Sequence, residues 1–132
     1  GHDIGMGQIV KHCNQLLVGI THAAVMEVIT LARKLKLDAN LVCDVVGSGI
    51  AGSEYFKLLS DSVLTGKPSP GGLGQMCKDM AIVSNIVNEV NMAGYVAQAA
   101  AHYFHIASDT NMQDEEGSSL IRVVELTPGT GN

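Results

Sequence analysis

The first quarter of the chain constrains the fold most, because it predicts a single helix long enough to cross a domain. Across residues 7–35, apolar side chains recur with helical spacing and no proline interrupts them. Through Ala32, the only formally charged residues in this stretch are Lys11 and Glu27. A helix with so few charges is expected to be covered along most of its length. The rest of the chain should therefore pack around it.

This helix is predicted to have two distinct faces. At about 100° per residue, one broad apolar arc should face the core. The arc consists of Ile9, Val10, Cys13, Leu16, Leu17, Ile20, Ala23, Ala24, Val28, Leu31 and Leu35. A second stripe of amide, imidazole and aliphatic groups should also be covered; it contains Lys11, Asn14, Gln15, Val18, His22, Val25 and Ile29. Glu27 falls within the apolar arc, so we expect it to be a buried structural carboxylate.

The remaining sequence predicts five shorter helices and no strand. Asp38 should cap a helix that ends at Gly47, and Ser53 should cap another that ends at Gly66. Three further helices are expected over residues 75–89, 93–108 and 118–126. The connecting segments, chiefly 47–52, 67–74 and 109–117, are glycine-rich, proline-rich or polar. The prediction is an all-α multi-helix bundle, with residues 1–132 as one domain.

Composition argues against several classes of function. The net charge of −5 gives no basic face for nucleic acid. No apolar run of about 18 residues is evident, so no membrane partner is predicted. The three cysteines, Cys13, Cys43 and Cys77, lie in apolar helical patterns; we interpret them as reduced core thiols of a cytoplasmic protein. His102 and His105 have the spacing of metal ligands, but nothing nearby completes a site, so no metal is predicted.

One polar cluster near the start of the chain has chemical potential. Lys11, Asn14 and Gln15 are spaced i, i+3 and i+4, so their side chains converge on one patch of the helix. An amine can act as a general acid or base, and the amides can hold hydroxyl or carboxylate groups of a small polar substrate. By spacing alone, however, such a cluster is most often solvated surface.

The surrounding residues resemble a known family. The segment 5–15, Gly-Met-Gly-Gln-Ile-Val-Lys-His-Cys-Asn-Gln, is similar to the start of the helical domain of β-hydroxyacid dehydrogenases. That family includes 3-hydroxyisobutyrate dehydrogenase, tartronate semialdehyde reductase and the more distant 6-phosphogluconate dehydrogenase. The resemblance extends over nearly the whole chain, through Glu27, Leu31-Ala32, Leu37-Asp38, Pro70-Gly71, Lys78-Asp79 and the acidic loop before Ser118.

The resemblance implies roles for individual residues. Lys11 would be the catalytic acid–base group, and Gln15, at a position where many members carry Asn, would bind substrate with support from Asn14. Lys78 would reach toward the nicotinamide side of the cofactor, although a solvated lysine in a first helical turn is the open alternative. Asp79 is expected to cap or orient the start of its helix.

The resemblance also implies a larger enzyme. The family binds NAD or NADP mainly through an N-terminal Rossmann domain, and no strand–glycine fingerprint–helix unit occurs in this sequence. We therefore expect a helical substrate-binding and dimerisation domain of an NAD(P)-dependent dehydrogenase for a small β-hydroxyacid. It would form a homodimer or homotetramer and be inactive without the Rossmann domain. The alternative is a non-catalytic helical dimerisation or interaction module.

Overall fold

The computed structural model describes residues 2–131, with side chains from residue 5 onward. Within that range the chain forms six α-helices and one short 3-10 turn, Gly117–Ser119. The helices are α1 (His2–Lys34), α2 (Ala39–Ser48), α3 (Glu54–Thr65), α4 (Leu73–Glu89), α5 (Tyr95–Asp109) and α6 (Leu120–Leu126). The described residues contain no strand, only a single antiparallel bridge between Gly72 and Glu116. The all-α prediction is confirmed.

The predicted helix ends are correct to within a few residues. Asp38 and Ser53 accept backbone hydrogen bonds as N-caps, and Gly66 ends α3 in the left-handed conformation. The largest difference is that α1 begins at His2 rather than at residue 7; in addition, α4 begins at Leu73 rather than at residue 75. Its first amides have partners outside the helix: Leu73 N donates to Glu115 O at 2.8 Å and Gly74 N to Gln113 O at 3.0 Å. The loop 109–117 thus stabilises the earlier start.

The long helix α1 is central, since it contacts each of the other five α-helices. However, the predicted core-facing arc was largely wrong. The covered residues include His22, Val25 and Ile29 of the second stripe, whereas five large members of the arc are more than half exposed: Ile9, Val10, Leu17, Leu31 and Leu35. The second stripe lies beside Gly19, where an added Cβ would overlap the Met80 side chain of α4. The missing side chain at Gly19 lets α4 approach closely on that side.

Three other expectations about α1 need correction. The expectation that no apolar run is long enough to span a membrane was wrong: between Gly5 and Lys34 the helix is long and apolar enough to do so, by length and composition alone. Burial at the centre of a bundle is an ordinary cause of such apolarity. Glu27 is exposed rather than buried, because its side chain lies on the solvent-facing side of α1. It accepts a hydrogen bond from the Tyr103 hydroxyl of α5. Cys13 is also exposed, whereas Cys43 and Cys77 are buried.

The core lies between α1 and the other helices. Its fully buried large side chains come from α1, α3, α4, α5 and α6: Met26, Ile29, Leu59, Leu73, Met80, Phe104 and Leu120. The Phe104 ring packs edge-on against the His22 ring, with 5.3 Å between the centroids. This contact joins α1 to α5.

Candidate functional site

Lys11 lies on the exposed surface of α1, close to its N-terminal end. Among the described residues, its ammonium has no hydrogen-bond or ion-pair partner. One turn further along, Asn14 Nδ2 donates to Gln15 Oε1 at 3.1 Å. The two amides therefore meet as predicted, whereas the described residues show no hydrogen bond from Lys11 to either of them.

Gln15 connects this patch to α4 through Asp79. Gln15 Nε2 donates to Asp79 Oδ2 at 2.9 Å, and Gln75 Nε2 donates to Asp79 Oδ1 at 3.1 Å. Asp79 is only 4% exposed. Its expected role at the helix start was wrong, because α4 begins six residues earlier and is preceded by Gly72 without any side-chain cap. No local pattern could have revealed a partner 64 residues away.

Lys78 is exposed, and it lies beyond the first turn of α4. It lines an open groove of about 850 Å³ between α4 and α5. Gln15 and Asp79 instead line a smaller cavity of about 130 Å³. Gln75 lines both the groove and the smaller cavity, whereas Lys11 lines neither of them. The structure thus joins Gln15 to the turn of α4 that carries Lys78, but it does not place Lys11 and Lys78 in one pocket.

The small cavity is also lined by a buried histidine, His22, to which the sequence had assigned no role. His22 is 1% exposed, and its Nε2 lies 2.7 Å from the Gly117 carbonyl oxygen. A carbonyl can only accept, so Nε2 carries the proton and Nδ1 accepts from the Tyr55 hydroxyl at 3.3 Å. Burial lowers the pKa of His22, which favours this neutral form.

A second network, centred on Glu116, holds the loop that borders the same cavity. Glu116 Oε2 accepts from Ser69 Oγ at 2.6 Å and from the backbone amides of Ser69 and Ser118, each at 2.9 Å. Glu116 Oε1 accepts from the Ser118 hydroxyl. Partial burial alone would raise the pKa of Glu116, but these hydrogen bonds together lower it to about 2.

The Glu116 network predicts acid sensitivity. A carboxyl whose pKa falls from 4.5 to about 2 on folding stabilises the folded state above pH 4.5 and loses that contribution as the pH falls toward 2. We expect about 2 kcal/mol to be lost over this range, allowing for solvent screening of a partly exposed group. Urea denaturation from pH 2 to 7 would measure it. Glu116→Gln should flatten the profile, whereas the exposed Glu89→Gln should not; identical profiles would contradict the assignment.

The two histidines considered as metal ligands lie on α5. His105 Nε2 is 3.2 Å from Asp109 Oδ2, one turn away on the same exposed surface. The part of the chain that the structure describes brings together no group of three or more histidine, cysteine, aspartate or glutamate side chains able to hold a metal ion.

Comparison with known proteins gives a consistent result. The chain is 28% identical over 124 residues to L-threonate dehydrogenase of Haemophilus influenzae, covering 93% of this chain and 41% of that protein. It is 39% identical over 119 residues to an uncharacterized oxidoreductase of Synechocystis, covering 89% of this chain and 40% of that one. The crystal structure of 3-hydroxyisobutyrate dehydrogenase from Salmonella typhimurium superposes with a TM-score of 0.82 at 26% identity, over 89% of this chain and 41% of the other. The chain thus spans about two fifths of the length of these relatives.

A family model locates the match on the sequence. It is described as the NAD-binding region of NADP-dependent 3-hydroxyisobutyrate dehydrogenase, and it matches residues 5–124. That span begins at Gly5, the first residue of the segment on which the resemblance was recognised, and includes both Lys11 and Lys78. The predicted family and its nicotinamide cofactor are confirmed. Because the match covers most of the sequence, the chain belongs to the 3-hydroxyisobutyrate dehydrogenase family of NAD(P)-dependent proteins.

Proposed function

We propose that this chain is the helical domain of an NAD(P)-dependent dehydrogenase that acts on a small β-hydroxyacid. The observation that carries the proposal is the hydrogen bond between Gln15 and Asp79, which ties the Lys11-Asn14-Gln15 patch to α4 beside Lys78. In a member of this family, a polar patch held in this way is better explained as part of a substrate site than as solvated surface. The helical domain of 6-phosphogluconate dehydrogenase remains the expected fold relative.

Lys11 is proposed as the catalytic residue. In its neutral form, Nζ would take the proton from the substrate hydroxyl; in the reverse direction, the ammonium would return a proton to the developing alkoxide. Gln15 and Asn14 would hold the substrate's polar groups. When bound, the nicotinamide cofactor supplies the hydride acceptor or donor.

The residues present fit an anionic dinucleotide and a small acid. Lys11 and Lys78 are exposed cations, and neither has an ion-pair partner among the described side chains. Lys78 would contact the cofactor from the α4 side. We infer that most of the cofactor is bound by a Rossmann domain N-terminal to this one, consistent with relatives more than twice as long. A cytoplasmic location is part of the same proposal.

The test is NAD(P)-dependent oxidation by the full-length protein, using L-threonate, 3-hydroxyisobutyrate and glycerate as probes. We expect turnover with at least one of them and none with the 132-residue chain alone, because that chain has no strand–glycine fingerprint–helix unit. Turnover by this chain alone would contradict the proposal that a separate Rossmann domain binds most of the cofactor. Absence of turnover by the full-length protein on all three acids would contradict the proposed function and favour a non-catalytic helical module.

Self-association is the second part of the proposal. Five large apolar side chains of α1 are more than half exposed: Met6, Ile9, Val10, Leu17 and Leu31. An exposed stripe of this kind is typical of an interface. We expect sedimentation velocity to show a homodimer or homotetramer of the full-length protein at micromolar concentration. Leu31→Glu should shift the protein toward monomer, and the control Glu89→Gln should not; a monomeric wild type would contradict the assembly.

A further inference from the structure

We propose that Asp79 is a positioning residue, which fixes the Gln15 amide so that its carbonyl oxygen is the atom offered to substrate. This inference rests on the proposed function, because it assigns a task within the same site. Asp79 itself is 4% exposed and lies behind Gln15, so it acts through that side chain rather than on the substrate.

The orientation of Gln15 follows from hydrogen-bond chemistry. Asp79 receives a side-chain amide on each oxygen, Gln15 on Oδ2 and Gln75 on Oδ1. A carboxylate can only accept, so the nitrogen of Gln15 must face Asp79. That nitrogen is also 3.9 Å from Met76 Sδ, a weak acceptor, so protein atoms lie on both of its donor directions.

The remaining capacity of Gln15 is that of an acceptor. Its Oε1 receives one hydrogen bond, from Asn14 Nδ2 at 3.1 Å, and a carbonyl oxygen can accept two. A ligand group bound by this oxygen must therefore be a hydrogen-bond donor. In a hydroxyacid, that group is a hydroxyl; the carboxylate would be repelled by the carbonyl dipole. We therefore assign the Gln15 carbonyl oxygen to a substrate hydroxyl. The hydrogen bond from Gln15 Nε2 to Asp79 holds the amide in the orientation that presents this oxygen.

Asparagine at position 79 would remove this control. Its amide keeps one acceptor oxygen but turns an NH₂ group toward one of the two glutamines, so the Gln15 amide is no longer held in one orientation. In the full-length enzyme, we expect Asp79→Asn to raise KM for the hydroxyacid about tenfold, with kcat within about threefold of wild type. Asp61→Asn, the same change at an exposed carboxylate on α3, should leave both constants unchanged.

A double-mutant cycle separates positioning from general structural support. Gln15→Ala should also raise KM about tenfold, and adding Asp79→Asn to it should change KM by less than about twofold, because Asp79 no longer has the amide to orient. If the two substitutions raise KM independently, so that their fold-changes multiply in the double variant, the proposal is overturned. It is also overturned if Asp79→Asn leaves KM unchanged, as is expected for Asp61→Asn. An inactive wild type would instead contradict the proposed function.

A charge swap tests the contact without relying on activity. Gln15→Glu places a carboxylate against Asp79 and should lower the Tm of the full-length protein by at least about 5 °C. In the double variant with Asp79→Asn, the new amide NH₂ can donate to the carboxylate at position 15, and its oxygen can still accept from Gln75. Most of the loss in Tm should therefore be recovered. A double variant no more stable than Gln15→Glu would show that the two side chains do not meet as described, and would overturn the proposal.

Discussion

Lys11→Ala is expected to lower the kcat of the full-length enzyme by about 10²–10⁴-fold, the range for loss of a general acid–base group. Cofactor affinity should change little, because Lys11 is proposed to act on the substrate hydroxyl. Steady-state kinetics together with fluorescence titration of NAD(P)H would measure both quantities. Lys34→Ala, at the far end of the same helix, is the matched control, since it removes an identical charge from an exposed position.

Lys11→Arg sharpens this test. A guanidinium keeps a positive charge but does not give up its proton near neutral pH. If proton transfer is the task of Lys11, arginine should restore little activity; if only charge is needed, it should restore much of it. Near-normal turnover by Lys11→Ala would remove the residue from the mechanism.

Phe104→Ala is expected to destabilise the domain by about 3–5 kcal/mol, the usual cost of deleting a fully buried aromatic ring. Phe104 is 0% exposed and packs edge-on against His22, which in turn donates to the Gly117 carbonyl. The substitution would therefore open a cavity beside the small pocket lined by Gln15 and Asp79. Urea denaturation of this chain would measure the change in the free energy of unfolding.

Tyr95→Ala is the control for Phe104→Ala. Tyr95 is an aromatic residue on the same helix, α5, but its side chain is 83% exposed. Its removal should cost less than about 0.5 kcal/mol. Equal effects of the two substitutions would mean that Phe104 is not at the centre of the core.

The helices were predictable because their signals are local. Asp38, Ser53 and Gly66 are capping residues whose side chain or backbone freedom acts within one turn. The face of α1 that would be covered was not predictable in the same way. Helical periodicity shows where apolar residues recur, but it does not show where another helix can pack closely. Gly19 leaves room for the Met80 side chain of α4 on the side that carries His22, and this side is the covered one although the opposite side is more apolar.

The candidate site shows the same division. Lys11, Asn14 and Gln15 share one helical turn and a family segment, so they could be identified from the sequence alone. Asp79 could be noticed only as the neighbour of Lys78, and its contact with Gln15 spans 64 residues. Ser69, which lines the same cavity, is bound by Glu116, 47 residues away in the chain. Such pairings depend on the tertiary packing of α1, α4 and the loops.

The position of Lys11 in the N-terminal part of α1 has an energetic consequence. The side chains of residues 6–11 are all exposed, and Gly5 and Gly7 are among the poorest helix formers, so this end gains little from burial or intrinsic propensity. If the proposed Rossmann domain covers this end in the full-length protein, most of the free energy that orders it would come from that contact. If Lys11 acts as proposed, docking of the neighbouring domain sets both the geometry of the reactive amine and the entropy cost of holding it there.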